Sequence, residues 1–245
     1  MKIGIITDPH LSDENNKKTE DFESFAPNIS AHCDVLVVSG DMASTNPHEA
    51  ELFFKIARRN NPYLPIVFVR GNHDVWAHTP DFRSISDIFL FQEKFCKKYK
   101  IHDLEFNGEL VINDVSFVGY MGWYASRNND TKDYERIPRQ NSLGADTFSF
   151  FKKLEGDSLD KIADMELSGK KKVCVTHFNL LPNKGYENLS GNPRFFELFL
   201  KDKFDLVIMG HSHKKMDKVI DGCRVVNAGA DYSENPGNFF KVIEI

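Results

Sequence analysis

The sequence predicts an α/β protein with layered sheets, and three observations carry that prediction. Five short apolar runs rich in β-branched residues recur along the chain. They are nearly continuous rather than alternating, as strands covered on both faces are. The stretches between them have helical spacing. The chain is 245 residues long with 41% hydrophobic and 27% charged residues, an ordinary globular composition with enough apolar material for a sizeable core. Domains of this kind often reach such a length as one unit, so residues 1–245 read as a single domain.

In chain order the predicted strands are Ile3 to Thr7, Val35 to Ser39, Ile66 to Val69, Lys172 to Thr176 and Leu206 to Met209. The helical stretches are Phe22 to His32, the segment after Pro47 through Asn60, Ile85 to Lys100, and roughly Leu143 to Leu167. After His213 the pattern changes to short strands at Lys218 to Ile220, Cys223 to Asn227 and Phe239 to Ile245, separated by Asp221-Gly222 and a Gly/Pro/Asn-rich loop, which reads as antiparallel pairing. Tyr120 to Asn141 is polar and aromatic, contains Pro138 and has little periodicity, so it is expected to be a loop capping a site.

Charge and cysteines narrow the classes. A net charge of -5 argues against a broad basic surface for nucleic acid, leaving only a local groove. Cys33, Cys96, Cys174 and Cys223 lie far apart without a C-x-x-C pair, against a zinc ribbon or a disulfide scaffold. They read as reduced thiols, Cys174 as a buried small hydrophobe inside its strand. The apolar start, Met1 to Thr7, is too short for a signal segment or a membrane span, so no membrane association and a cytoplasmic location are expected by default. Oligomeric state leaves no mark in the sequence.

Each of the five runs is followed within a few residues by groups that bind metals: Asp8-Pro9-His10, Gly40-Asp41, Gly71-Asn72-His73-Asp74, Thr176-His177 and Gly210-His211-Ser212-His213. Loops at the carboxyl ends of strands form the binding crevice of open α/β sheets, so these groups are expected to converge at one sheet edge. Imidazole mixed with carboxylate favours Zn, Mn or Fe over Ca or Mg. A carboxylate can bridge two cations about 3.5–4 Å apart, and such a pair lowers the pKa of water from about 15.7 towards about 7. Asp41 is the bridging candidate. The glycines before Asp41, Asn72 and His211 let the backbone turn and approach the site.

The ordered set D-x-H, G-D, G-N-H-D, H and G-H-x-H, spanning Asp8 to His213, resembles the calcineurin-like metallophosphoesterase superfamily. The resemblance implies a four-layer α-β-β-α sandwich, two mixed β-sheets flanked by helices, with a dimetal site at one end. It implies that Asp8, His10, Asp41 and His213 hold one metal and that Asp41, Asn72, His177 and His211 hold the other. It assigns His73 to the phosphate and leaving oxygen and Asp74 to orienting that histidine. The activity implied is hydrolysis of a phosphodiester or phosphomonoester of a small molecule by in-line attack of hydroxide on phosphorus. The sequence lacks the G-D-x-x-D-R-G of the protein Ser/Thr phosphatase branch, reading Gly40-Asp41-Met42-Ala43-Ser44-Thr45 instead, which points away from that branch.

The alternatives are a Mn-dependent nuclease, disfavoured by the acidic balance, and a non-catalytic binding or scaffold member of the same fold, disfavoured because the ligand set is complete. His32, His48, His78 and His102 lie outside the motifs and read as structural or solvated. Trp76, Trp123 and Tyr124 suit either a pocket wall or ordinary packing. Arg70 stands where it could reach a phosphate but reads more readily as a surface ion-pair partner and is given no role, Lys170-Lys171-Lys172 reads as a solvated turn, and Phe89, Phe91 and Phe95 as core. Specificity is expected from the loops Tyr120 to Asn141 and Asn179 to Pro193.

Overall fold

The computed structural model describes residues 1–11, 16–77, 79–124, 136–138, 147–181, 191, 193–229 and 240–245. Two mixed sheets form its centre. In the first, β1 (Lys2–Ile6), β2 (Val35–Ser39), β3 (Ile66–Val69) and β4 (His102–Asp103) run parallel, and β11 (Phe240–Glu244) pairs antiparallel with β1. In the second, β6 (Val115–Tyr120), β7 (Lys171–Thr176), β8 (Leu206–Met209) and β10 (Cys223–Asn227) run parallel. Antiparallel strands β5 (Leu110–Ile112) and β9 (Met216–Ile220) close its edges.

The unbroken apolar runs follow from burial on both faces. Ile3, Ile5, Val35, Val37, Val67 and Val69 of the first sheet point inward and meet Val115, Phe117, Val173, Val175, Leu206 and Ile208 of the second. The alternate residues Ile6, Leu36, Val38, Ile66 and Phe68 pack outward beneath Phe22 of α1 (Asn16–Phe25), Phe53 and Phe54 of α3 (Pro47–Asn60) and Phe95 of α4 (Ile85–Tyr99). On the far side Val118, Cys174, Val207 and Val225 pack beneath Leu159 and Ile162 of α6 (Thr147–Asp164) and beneath Leu200. The result is the four-layer sandwich. Among the described residues no helix is long and apolar enough to cross a membrane.

The structure corrects several expectations. β6, which lies between β5 and β7 in the second sheet, was not among the predicted strands, because Ser116 and Gly119 interrupt its apolar run. Both have packing reasons: the Ser116 hydroxyl accepts from the Gly169 N–H at 2.6 Å, and a Cβ at Gly119 would lie 2.6 Å from the Val175 carbonyl. The helix expected over Phe22 to His32 begins earlier, at Asn16, since its first turns are polar. It breaks at the 3-10 turn Ala26–Asn28, where Pro27 lacks an N–H, and resumes as α2 (Ile29–His32). The predicted helix from Leu143 to Leu167 is the shorter Thr147–Asp164. Within the expected capping segment, Tyr120 ends β6 and Met121, Trp123 and Tyr124 are buried; residues 125–135 and 139–141 of it lie outside the described residues. Much of the second recognition loop, 182–190 and 192, does too.

The helices that carry site loops are capped as their sequences require. Asn46 and Glu49 form a reciprocal capping box on α3 with Pro47 in its first turn, and Ser84 caps α4 by accepting from the Asp87 N–H at 3.2 Å. Because Phe117 is fully buried between the sheets, Phe117→Ala is expected to cost about 3–5 kcal/mol. Urea unfolding checks this as a lowered midpoint at unchanged slope.

Candidate metal centre

The five loops leave the carboxyl ends of β1, β2, β3, β7 and β8 and are laced together by main-chain bonds. Asp8 N–H donates to the Gly40 carbonyl at 3.1 Å, His10 N–H to the Asp41 carbonyl at 3.0 Å, and Gly210 N–H to the His177 carbonyl at 2.8 Å. The two sheets join at this end through the Ser39 hydroxyl, which donates to the Thr176 carbonyl at 2.7 Å. Five of the predicted ligands sit in the left-handed backbone region: Asp8 (φ 55°), His10 (46°), Asp41 (57°), His211 (64°) and His213 (53°). Non-glycine residues rarely adopt it, and a cluster held there marks a site whose surroundings over-determine the chain. The glycines behave as expected: Gly40 has φ 87°, and a Cβ on Gly71 would collide with the Asp41 carboxylate.

All seven predicted ligands come together. Donor atoms of Asp8, His10 and His213 lie within 4.8 Å of one another, as do those of Asp41, His177 and His211, and those of His10, Asp41 and His73. His10 Nε2 is 3.4 Å from His213 Nε2, with the rings stacked at 5.1 Å. Asn72 Oδ1 stands 3.2 Å from His177 Nε2 and 3.1 Å from His211 Nδ1. Asp41 Oδ2 lies between the two sets, 3.7 Å from His10 Nε2 and 3.4 Å from His177 Nε2.

Backbone carbonyls fix which imidazole nitrogen faces the centre. His10 Nδ1 donates to the Ala43 carbonyl at 3.2 Å and His177 Nδ1 to the Ser39 carbonyl at 2.9 Å, so each turns Nε2 inward. Burial and the neighbouring His73 hold His10 well below the usual imidazole range, and burial together with His177 does the same to His211, leaving both as neutral donors. Burial opposes charge on Asp41, yet His177 and His73 outweigh it and hold that carboxyl well below the usual range. Burial likewise opposes charge on His177, but Asp41 and Asp8 push it up to about 9.

Asp74 has a different part from the expected one. Its Oδ2 accepts the N–H groups of Asp41 and Gly71, each at 2.8 Å, and its Oδ1 accepts that of Ala43 at 3.1 Å. It therefore fixes the turn that carries Asp41, while the ring of His73 is oriented by Ser44, whose carbonyl lies 2.9 Å from His73 Nδ1. Ser44 is placed in turn by buried Glu49, which accepts its N–H at 2.7 Å. Glu49 was missed in the sequence, although N-P-H-E at the start of a helix signals the capping box that buries it. Asn227 was missed as well: its side-chain amide donates to the Gly210 carbonyl at 2.9 Å and bonds the Ser212 hydroxyl at 3.1 Å, holding the G-H-S-H loop from outside the motifs.

Arg70 is another correction, since it is 0% exposed rather than on the surface. Its guanidinium pairs with Asp103 at 2.6 Å and faces Glu105 at 3.9 Å, its Nε donates to Gln92, and Phe106 and Phe89 pack on it. Gln92 donates onward to the Asp74 carbonyl at 2.7 Å, and Glu105 accepts the Met121 N–H at 3.3 Å. The Met121 carbonyl accepts from His177 N–H at 3.2 Å, so this buried network braces one loop of each sheet.

Among the aromatic candidates, Trp123 is core, stacked on Phe151 at 4.0 Å, whereas Tyr124 meets His211 edge-on at 5.4 Å and Trp76 packs on His73 at 3.4 Å. Phe95 is buried, and Phe89 and Phe91 are half-buried against the core. Lys170 and Lys171 form exposed pairs with Asp114 and Asp205. His32 is exposed, His48 pairs with Asp81 at 3.2 Å, His102 faces the Gly108 carbonyl at 3.0 Å, and His78 lies outside the described residues. Among the described residues none of these joins a metal-holding group.

Removing the cation of the buried network by Arg70→Met leaves Asp103 and Glu105 unpaired, and the expected cost is about 3–5 kcal/mol in urea unfolding. Asp74→Asn replaces an acceptor of three N–H groups by an amide, and a loss of about 10–100-fold in metal affinity is expected in a titration with Mn²⁺.

A family model described as calcineurin-like phosphoesterase matches residues 1–215. An uncharacterised protein, L509, of Acanthamoeba polyphaga mimivirus is 24% identical over 227 residues, covering 83% of this chain and 80% of that protein. The phosphopantetheinyl hydrolase of Mycobacterium tuberculosis superposes with a TM-score of 0.77 at 14% identity, covering 99% of this chain and 95% of that one. GAP50, described as the anchor in the inner membrane complex of Plasmodium, gives 0.52 at 12% identity over 94% and 71%. With most of its length matched by the family model and all five motif loops gathered at one end of the sandwich, this chain belongs to the calcineurin-like phosphoesterase family.

Proposed function

We propose that this chain is a single-domain hydrolase of small-molecule phosphodiesters or phosphomonoesters that works with two metal ions, Mn, Fe or Zn. Asp8, His10, Asp41 and His213 would hold one ion, and Asp41, Asn72, His177 and His211 the other. The observation that carries this reading is the position of Asp41 Oδ2 between His10 Nε2 and His177 Nε2, where a carboxylate can serve two cations. The donors fit such ions: imidazoles and carboxylates aimed inward, without a thiolate. When bound, the pair would polarise the phosphoryl group and lower the pKa of water towards about 7.

The rest is the work of the chain. Asp8 and Asp41 supply the negative charge that neutralises the centre, and the carbonyls of Ala43 and Ser39 keep two imidazole lone pairs turned towards it. His73, its Nδ1 fixed on the Ser44 carbonyl, offers Nε2 to the leaving oxygen, which needs a proton as the P–O bond breaks. Aromatic side chains beside His73 and His211 exclude water from that flank. Since one protein of this fold is described as an anchor, fold does not decide catalysis, and the complete donor set together with an oriented His73 supports turnover. Four buried free cysteines suit the reducing cytoplasm.

His73→Ala is expected to keep both metals and to lose about 10²–10⁴-fold in kcat on bis-p-nitrophenyl phosphate, whereas Asp41→Asn is expected to lose metal as well as activity. Metal content per chain measured beside the assay separates the two, and a His73→Ala protein as fast as the wild type would sink the reading.

A further inference from the structure

One flank of the centre carries a basic group that the phosphate-handling residues do not use. The His73 ring packs on the Trp76 indole, centroids 3.4 Å apart and inclined at 32°, and Trp76 is 5% exposed. The guanidinium carbon of Arg136 stands 4.3 Å from that indole's centroid. Arg136 is anchored from both sides: its carbonyl accepts the Ala77 N–H at 3.0 Å, and the adjacent Ile137 is buried in the cluster that holds Val75, Trp76 and Phe82. The side chain itself stays partly exposed.

A guanidinium lying on an indole face is held without using its N–H groups, which remain at its edge in the planar fork that matches phosphate or carboxylate. Its stem is immobilised by the stacking, so less freedom is lost when an anion arrives. The chain as a whole carries -5, so a guanidinium on this flank is a local feature and not a consequence of composition.

We propose that Arg136 is a specificity residue that binds a second anionic group, phosphate or carboxylate, on the leaving portion of the substrate. The inference rests on the phosphoesterase reading, because it takes His73 to face the leaving oxygen and Arg136 packs on the same indole as that ring. The preferred substrates are then phosphoesters of anionic alcohols, not of neutral ones. In hydrolysis water gives a proton to solvent and its oxygen bonds to phosphorus, the bond from phosphorus to the alcohol oxygen breaks, and that oxygen leaves with its electron pair and takes a proton from His73, which solvent then restores. Arg136 exchanges neither proton nor electrons and only holds the departing anion.

The test uses three methyl phosphodiesters that differ in the other ester arm, which is butyl, carboxypropyl or phosphonopropyl, with the released alcohol quantified by chromatography. Manganese-loaded wild-type protein is expected to favour at least one anionic arm over butyl by about tenfold or more in kcat/KM, the scale of a charged hydrogen bond. Arg136→Ala is expected to bring that ratio close to one, and Arg136→Lys to keep part of it, with metal content unchanged in both. A ratio that Arg136→Ala leaves as it was, or a wild type without preference, overturns the inference while the phosphoesterase reading stands. Should the wild type cleave neither these three nor p-nitrophenyl phosphate with Mn²⁺, Fe²⁺ or Zn²⁺, that reading fails on its own account. Calorimetry of 3-phosphonopropanol and 4-hydroxybutyrate on the metal-loaded proteins then still decides Arg136: equal affinity in wild type and Arg136→Ala overturns it.

Discussion

One buried carboxylate sets the shape of the site. Asp74 takes the N–H groups of Asp41, Gly71 and Ala43, and with them it closes the loop after β2 onto the loop after β3. Without that closure Asp41 would have little reason to stay in the left-handed region, which costs an L-residue about 1–2 kcal/mol. The other strained ligands have comparable restraints. Both oxygens of Asp8 face the His211 N–H, at 2.9 and 3.1 Å, so a ligand from the first sheet also holds the backbone of one from the second. The ligands thus constrain one another as well as facing the centre, a reason for their precision before any ion is bound.

Two sheets are required because neither supplies a full set. Asp8, His10, Asp41, Asn72 and His73 come from loops of the first, and His177, His211 and His213 from loops of the second. A sandwich whose parallel strands end together brings the sets within bonding distance, and the apolar layer between the sheets fixes their separation. At the metal end that layer gives way to polar ties, Ser39 to Thr176 across the gap and the Arg70 network behind it. A buried ion pair seldom adds stability over an apolar replacement. Here it joins elements from both sheets through Gln92 and Glu105, which an apolar cluster could not do with the same direction.

The residues that converge were legible because their chemistry is written in type and place: a carboxylate, an imidazole or an amide just after a strand is conspicuous. The supports were not. Asp74 lay within a motif, and its spacing beside His73 suggested a contact with that ring, whereas the fold aims it at three backbone groups up to 33 residues away. Arg70 looked like a surface residue because its partners, Asp103 and Glu105, are distant in the chain and only β4 and α5 (Leu104–Asn107) bring them near. β6 was overlooked because a serine and a glycine that pack against backbone weaken a signal that rests on apolar periodicity. In each case the missing information was long-range, a partner that no local pattern encodes.

The same division separates what the centre does from what it acts on. The side chains of the candidate centre lie at the ends of buried strands, where a displaced backbone would disturb the core and the cluster together. The side chain with the best claim to specificity, Arg136, lies instead between chain segments and is held by stacking on Trp76 and one backbone bond. Changes there need not disturb Asp41 or Asp74. A scaffold built in this way lets the surroundings of the centre vary, because the two regions meet only through the contact of Trp76 with His73, the bond from Ala77 to the Arg136 carbonyl and the cluster that holds Ile137 and Val75 among the described residues.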